Sequence, residues 1–322
     1  MAATLPGPRA GMHPDDEFHS PTSDDTNWSE TCWFTFTVPE RKISGQLYPF
    51  FRANLGTMAA GAYFWDPTGS RPENCLYSKN FWHLPIPDQP LSDITIGNGI
   101  KYRCVKPQEQ YEISYDDSDG GNEIHAELTF TAVTEPHYLG EHHLDQPGRY
   151  TGELVIHGEK MKVDSFGFRD RSWGPRTQHG QGLTSSPAPH GGYSYATGMG
   201  ADGNLNAFHT ITMDWGQGLK SIHGYLMRDG VWAKLAEATR TVVERNAEGI
   251  PTRVIIEGVD EKGRSLSARG TGHNGFSFFI NPNMFTMNCL YEWEFDGVTA
   301  WGEDHDNWSH PAIRKFNREA SA

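Results

Sequence analysis

The sequence predicts an all-β fold. Apolar and polar residues alternate with a period of two along nearly every readable segment from Trp28 onward, which is the pattern of half-buried strands. Turn-forming clusters such as Met227-Arg228-Asp229-Gly230 interrupt these segments at short intervals, and 35 glycines and 20 prolines agree with many turns. Only the segment from Val231 to Arg245 is compatible with a helix, and its Thr and Val content suits a strand equally well.

The 322 residues are enough for two ordinary domains or for one large all-β unit, and a loop divides the strand segments in two. This loop, rich in Gly and Pro, runs from Gln181 to Gly192. We therefore predict two β domains, at residues 27–178 and 179–312. Residues 1–26 contain few apolar side chains and predict a loosely held arm, and residues 313–322 predict a short cationic tail.

Charge and composition exclude several classes of partner. A formal net charge of -14 argues against nucleic acid and against anionic membrane surfaces. The chain has no apolar run near the roughly 20 residues of a spanning helix, which predicts no membrane insertion. The first residues lack the basic and apolar parts of a secretory signal. The four cysteines show no Cys-x-x-Cys spacing, so we expect a cytoplasmic protein with reduced thiols.

The segment from Phe166 to Arg176 (Phe-Gly-Phe-Arg-Asp-Arg-Ser-Trp-Gly-Pro-Arg) concentrates the candidate chemistry. Strand periodicity predicts that Asp170 follows two aromatic rings into an apolar interior. A carboxylate there costs several kcal/mol unless it is paired with a cation or protonated, and either solution suits an enzyme that moves protons. The alternative is a buried Arg-Asp clasp that holds two halves of the fold together. One predicted face carries Phe166, Phe168 and Asp170, and the other carries Arg169, Arg171 and Trp173.

A second candidate is His209, the single polar residue on one face of the segment from Leu205 to Met213. In the next strand, Ser221, His223 and Tyr225 form a polar row beside it. Burying such a cluster is expensive without a function, so the pattern indicates a site. A hydrogen-bonded core histidine is the alternative.

Two further segments combine carboxylates with histidines. The first runs from Ala300 to Trp308 and includes Trp301 and Glu303, and the second runs from Glu141 to Asp145. Such residues suit acid–base catalysis or a divalent metal, but neither segment has the His-x-x-x-His or His-x-His spacing of a preformed metal site. Solvated loops are the alternative, and we predict no metal. Dinucleotide, Walker and Gly-x-Ser-x-Gly motifs are absent, so we also expect no cofactor and no serine-hydrolase chemistry.

The motif Asp170-Arg171-Ser172-Trp173-Gly174, placed midway along an all-β chain of this size, resembles the superfamily of carotenoid 1,2-hydratases (hydroxyneurosporene synthases). That superfamily includes kievitone-hydratase-like proteins and lipocalin-like Diels-Alderases. The segment from Arg169 to Arg176 is similar to a bacterial branch of the group. The resemblance covers residues 28–310, and its specificity rests on this motif and on the aromatic segment near Trp301.

This resemblance implies two tandem lipocalin-like (calycin) β-barrels or sandwiches and a hydrophobic pocket. It also implies cofactor-free acid–base chemistry on an apolar substrate, often a terpenoid or polyketide. The sequence departs from the hydratase pattern at Arg171, where those enzymes commonly have histidine. Arginine does not release a proton near neutral pH, so the hydration mechanism does not transfer directly.

The leading hypothesis is a cofactor-independent lyase, isomerase or cyclase acting on a hydrophobic small molecule. Asp170, held by Arg171 or Arg176, would protonate an alkene or polarise a carbonyl, and His209 and Tyr225 would serve as the partner base and acid. The alternative is a non-catalytic carrier of an apolar ligand. The sequence does not decide the oligomeric state, and a homodimer is compatible with it. The predicted substrate contacts are Trp173, which would stabilise positive charge through its π face, Arg176, His223, Trp301 and Glu303.

Overall fold

The structure is a computed structural model that describes residues 5–117, 123–175, 190–281 and 284–320. Within these ranges the chain forms twenty strands and one α-helix, which confirms the all-β prediction. Two compact units divide the chain. Unit 1 comprises Met1–Glu40, Ser44–Phe64 and Leu76–Thr177, and unit 2 comprises Arg41–Ile43, Trp65–Cys75 and Gln178–Ala322.

The sheet of unit 1 is open and curled, in the order β4-β3-β2-β1-β11-β10-β8-β7-β6-β5, with β9 paired to β10. Alternation decides its buried face: along β6, for example, Ile100 and Tyr102 are buried and Lys101 and Arg103 are exposed. The strands are β1 (Trp28–Val38), β2 (Ile43–Arg52), β3 (Thr57–Trp65), β4 (Tyr77–Pro85), β5 (Asp93–Thr95), β6 (Ile100–Lys106), β7 (Gln110–Asp117), β8 (Ile124–Ala132), β9 (His137–Tyr138), β10 (His143–Ile156) and β11 (Glu159–Pro175).

The sheet of unit 2 follows the order β17-β16-β15-β14-β13-β12-β20-β19-β18, and β17 also pairs with β19. This additional pairing closes eight strands into a barrel, while β18 pairs with the first half of β19. The elements are β12 (His190–Met199), β13 (Leu205–Asp214), β14 (Leu219–Arg228), β15 (Val231–Arg245), β16 (Pro251–Asp260), β17 (Ser265–Gly272), β18 (Phe276–Asn281), β19 (Met284–Phe295), β20 (Val298–Ser309) and α1 (His310–Ala320).

The apolar core of unit 2 includes Phe208, Leu226 and Trp293. The rings of Phe208 and Trp293 meet edge to face, with 5.1 Å between their centroids. The core is accompanied by a buried ion network in which Arg240 donates to Asp304 and Asp306. All three side chains are fully buried, and Arg245 lies 2.7 Å from Asp306, so two guanidinium groups balance the two carboxylates.

The structure assigns the secondary structure of two further segments. The segment from Val231 to Arg245 is strand β15, as its Thr and Val content allowed. Residues predicted as a cationic extension belong instead to helix α1, in which Ile313 is buried and Phe316 packs against Trp308. Among the described residues, no helix is long and apolar enough to cross a membrane.

The loosely held arm predicted for the N-terminal residues is wrong for the segment around Asp16 and Glu17, both of which are buried. The hydroxyl of Tyr111 donates to Asp16 at 2.7 Å, and the backbone N–H of Gln108 donates to the same carboxylate at 3.0 Å. The Glu17 carboxylate accepts hydrogen bonds from the backbone N–H and the hydroxyl of Ser92. Low apolar content misled the prediction because carboxylates, rather than apolar side chains, anchor this segment.

Candidate functional site

The Arg-Asp-Trp motif lies in β11, where both faces of the strand are buried. The alternation is correct: Phe168 is 1% exposed on the predicted inner face, and Asp170 is half-buried beside it. Arg169 and Arg171, on the other face, are also 1% exposed. The guanidinium of Arg169 lies over the buried ring of Tyr111, 4.1 Å from its centroid. The prediction missed this second buried face because the interior of unit 1 accepts charged side chains.

Arg171 does not hold Asp170. Its Nη2 donates to Glu30 at 2.7 Å, and its Nη1 donates to the backbone carbonyls of Asp15 and Glu17. Trp173 stacks on His19, with 4.0 Å between ring centroids. Arg171 and Trp173 therefore hold the N-terminal segment against β1 and β11. The predicted clasp exists, but the carboxylate that pairs with the arginine is Glu30 and not Asp170. The other predicted partner, Arg176, lies outside the described residues.

This clasp predicts a pH dependence of stability. A hydrogen bond from His19 lowers the pKa of Asp15 to about 2, against the opposing effect of burial, and Tyr138 adds a further bond. Because the folded-state pKa is depressed, the stabilisation is full above about pH 4 and is lost as the pH falls through about 2. We expect Asp15→Asn to melt below wild type near pH 5, with the difference shrinking towards pH 2, in circular-dichroism melts. Asp88→Asn, at an exposed position, is the control, and a constant difference across this range would contradict the prediction.

On the other face of β11, Asp170 lies in a group that we call the β10–β11 cluster, formed by His143, Asp145, Asp170 and Ser172. The strand register pairs Asp145 with Asp170 and His143 with Ser172. His143 Nε2 lies 2.9 Å from Asp145 Oδ2, and His143 Nδ1 lies 2.7 Å from Ser172 Oγ. Each of His143, Asp145 and Asp170 has one possible ligand atom that lies within 4.8 Å of those of the other two. Sequence spacing missed this group because its members come from two strands.

In unit 2, His209 lies on the face of β13 opposite Phe208, so it faces away from the apolar core of the barrel. It is nevertheless fully buried, as is Tyr225, its register partner on β14. The His209 ring lies 5.6 Å from that of Tyr225 and 5.7 Å from that of His223, centroid to centroid. The structure thus brings these three predicted residues together. A β-bulge moves Ser221 into register with Thr212, so Ser221 does not continue the row.

Strand β20 adds carboxylate and imidazole groups to the same face. Tyr193 of β12 pairs with His305, and their rings stack 5.6 Å apart. His305 Nε2 lies 2.9 Å from the buried carboxylate of Glu303. Sequence analysis did not single out Tyr193 or His305, although the alternation of Trp301, Glu303 and His305 was a signal for the latter. We call Tyr193, His209, His223, Tyr225, Glu303 and His305 together the histidine face.

The remaining predicted contact, Trp301, is half-buried, with its ring 5.1 Å from that of His273. Asp170, Arg171 and Trp173 belong to unit 1, whereas His209, His223, Tyr225, Trp301 and Glu303 belong to unit 2.

An open cleft of about 450 Å³ lies elsewhere in unit 2. Its apolar lining is formed by Phe278, Phe279, Phe285 and Met287, and Arg71, Glu73 and Glu248 contribute charge. It contains none of the residues predicted from the sequence.

Comparison with known proteins places this two-unit β architecture among lipocalin-like proteins. The chain belongs to the family described as a domain of unknown function, DUF7064, whose model matches residues 13–310. No curated protein sequence matches it.

Three solved structures share the fold over 95% of this chain. A candidate AttH protein of Nitrosomonas europaea is 14% identical, with a TM-score of 0.61 and 98% of its own chain covered. Kievitone hydratase of Nectria haematococca is 9% identical, with a TM-score of 0.55 and 96% covered. The protein CghA is 11% identical, with a TM-score of 0.52 and 97% covered. These similarities confirm the lipocalin-like fold that the resemblance implied.

Proposed function

We propose that this protein is an acid–base enzyme, a hydratase or other lyase, an isomerase or a cyclase, that acts on an apolar small molecule such as a terpenoid or polyketide. His209 and Tyr225 form its proton-transferring pair. The observation that carries the proposal is their juxtaposition: the two rings lie 5.6 Å apart, and the residues are 0% and 1% exposed.

The chemistry of the histidine face supports this proposal. A neutral imidazole accepts a proton near neutral pH, and a phenol can donate one. Burial lowers the effective dielectric, which strengthens the interaction of these groups with charge that develops on a substrate. The rings of Tyr193 and His223 flank His209 at 4.7 and 5.7 Å and supply aromatic surface for an apolar molecule.

The fold adds support, because kievitone hydratase is built in the same way. The cleft lined by Phe278, Phe279, Phe285 and Met287 favours a second candidate, a carrier of apolar ligands. The two functions differ in outcome: an enzyme converts its ligand, and a carrier returns it unchanged.

The test uses the full chain and apolar metabolites extracted from its own host, followed by mass spectrometry. We expect a compound to gain or lose one water or to become an isomer, and His209→Phe to slow this conversion at least about tenfold. Phenylalanine fills a similar volume and preserves packing. Tyr225→Phe, which removes only a hydroxyl, provides a second variant if His209→Phe does not fold.

Ile222→Thr is the control, since Ile222 is 49% exposed on the same strand as Tyr225. Equal turnover by wild type and by folded His209→Phe and Tyr225→Phe variants would contradict the assignment. Retention of an unchanged apolar compound by every variant would favour the carrier.

A further inference from the structure

We infer that the β10–β11 cluster binds a divalent transition-metal ion through His143 Nε2 and the carboxylates of Asp145 and Asp170. This site goes beyond the proposed function, and it revises the expectation from sequence spacing that the chain binds no metal. The inference depends only on residues of unit 1.

The ligand atoms are already close to the required arrangement. One atom from each of the three residues lies within 4.8 Å of the other two. Nitrogen and oxygen ligands sit about 2.0–2.2 Å from such an ion, so two ligands of one ion are at most about 4 Å apart. Small side-chain rotations on two hydrogen-bonded strands are therefore enough to close the site.

Electrostatics favours a cation at this position. Asp145 and Asp170 face each other across β10 and β11, and like charges directly opposite on neighbouring strands are destabilising. Asp145 is fully buried, so solvent does not screen its charge. A divalent ion neutralises both carboxylates.

Ser172 orients the histidine for this role. When His143 Nδ1–H donates to Ser172 Oγ, at 2.7 Å, the Nε2 lone pair points towards Asp145 Oδ2, at 2.9 Å. In that tautomer Nε2 can bind an ion that the Asp145 carboxylate also binds, whereas in the other tautomer Ser172 Oγ–H donates to Nδ1 and Nε2–H donates to Asp145. Metal-binding histidines commonly donate their other N–H in this way, which fixes the tautomer.

The donor set selects the type of ion. One imidazole and two carboxylates suit Zn²⁺, Mn²⁺, Fe²⁺ or Co²⁺, whereas Mg²⁺ and Ca²⁺ prefer oxygen ligands alone. The His143 side chain is 18% exposed and Asp170 is half-buried, so an ion can enter and retain water.

The chain contains a matched control. His125 lies 3.3 Å from Asp116 and 3.5 Å from Glu127, which is again one histidine beside two carboxylates, in unit 1. Both of these carboxylate side chains are more than half exposed, at 65% and 72%. Solvent relieves their repulsion, so we expect no comparable affinity there.

The experiment is calorimetric titration of the chelator-treated full chain with Zn²⁺, Mn²⁺ and Mg²⁺ separately, with Co²⁺ absorption as a spectroscopic check. We expect one equivalent of Zn²⁺ or Mn²⁺ to bind, with Mg²⁺ at least about tenfold weaker. His143→Ala and Asp170→Asn should each lower the affinity by more than about tenfold, Ser172→Ala by about 10–100-fold, and His125→Ala not at all.

Absence of stoichiometric binding, or an equal loss in His125→Ala, would overturn the site. So would ¹⁵N NMR spectra showing both nitrogens of His143 protonated with excess Zn²⁺ present. If a variant is unstable, the ion-induced rise in melting temperature of wild type gives an independent readout, and no rise would also refute binding. These measurements need no substrate, so this inference and the proposed function can fail separately.

Discussion

Arg171→Met is expected to lower the free energy of unfolding by about 3–5 kcal/mol, as is typical when one partner of a buried ion pair is removed. Arg171 and Glu30 are each 1% exposed and lie 2.7 Å apart. Methionine fills much of the space but removes the fully buried cation beside Glu30, which among the described residues keeps only its contacts with His19. It also leaves the carbonyls of Asp15 and Glu17 without the Arg171 donor. Chemical denaturation monitored by tryptophan fluorescence measures the effect.

The same substitution at Arg103 provides the control, because the Arg103–Glu112 pair is more than half exposed on both sides. We expect Arg103→Met to cost less than about 1 kcal/mol. The double variant Arg171→Met, Glu30→Met should recover much of the loss, since no buried charge then remains unpaired. Equal stabilities of Arg171→Met and Arg103→Met would show that the clasp does not stabilise unit 1.

The sequence predicted strands well because alternation is a local property, and it missed the burial of the arginine face of β11 because burial is not. Phe166 and Phe168 marked one face by hydrophobicity, and Phe168 is buried. The structure also buries Arg171 on the opposite face, and its partner Glu30 lies 141 residues away in sequence. A buried charge is satisfied by residues that only the fold brings near, so no local pattern identifies it.

The same distinction explains which site residues were predictable. His209 and Tyr225 lie on adjacent strands of one hairpin, where periodicity places them on a common face. Asp170 and His143 also lie on paired strands, but the pairing of β10 with β11 depends on a register that the sequence does not reveal. Residues 141–145 were therefore judged only by their own spacing, which is not that of a preformed metal site.

Asp170→Asn should weaken the binding of Zn²⁺ by more than about tenfold while leaving the melting temperature of the metal-free protein nearly unchanged. The amide keeps the volume but removes the charge and the exchangeable proton. Stability should be spared because Asp170 lies on the face of β11 opposite the Arg171–Glu30 pair, and because removing one of two facing carboxylates relieves repulsion with Asp145. Calorimetric titration and a thermal melt measure the two effects.

Arg171→Met on the next residue of β11 is the complementary variant. It should lose much stability, but its folded fraction should bind Zn²⁺ as wild type does, because the Arg171 side chain pairs with Glu30 on the opposite face of the strand. A folded Asp170→Asn variant with wild-type affinity for Zn²⁺ would remove Asp170 from the ligands. A fall in its melting temperature as large as that of Arg171→Met would show instead that Asp170 stabilises unit 1.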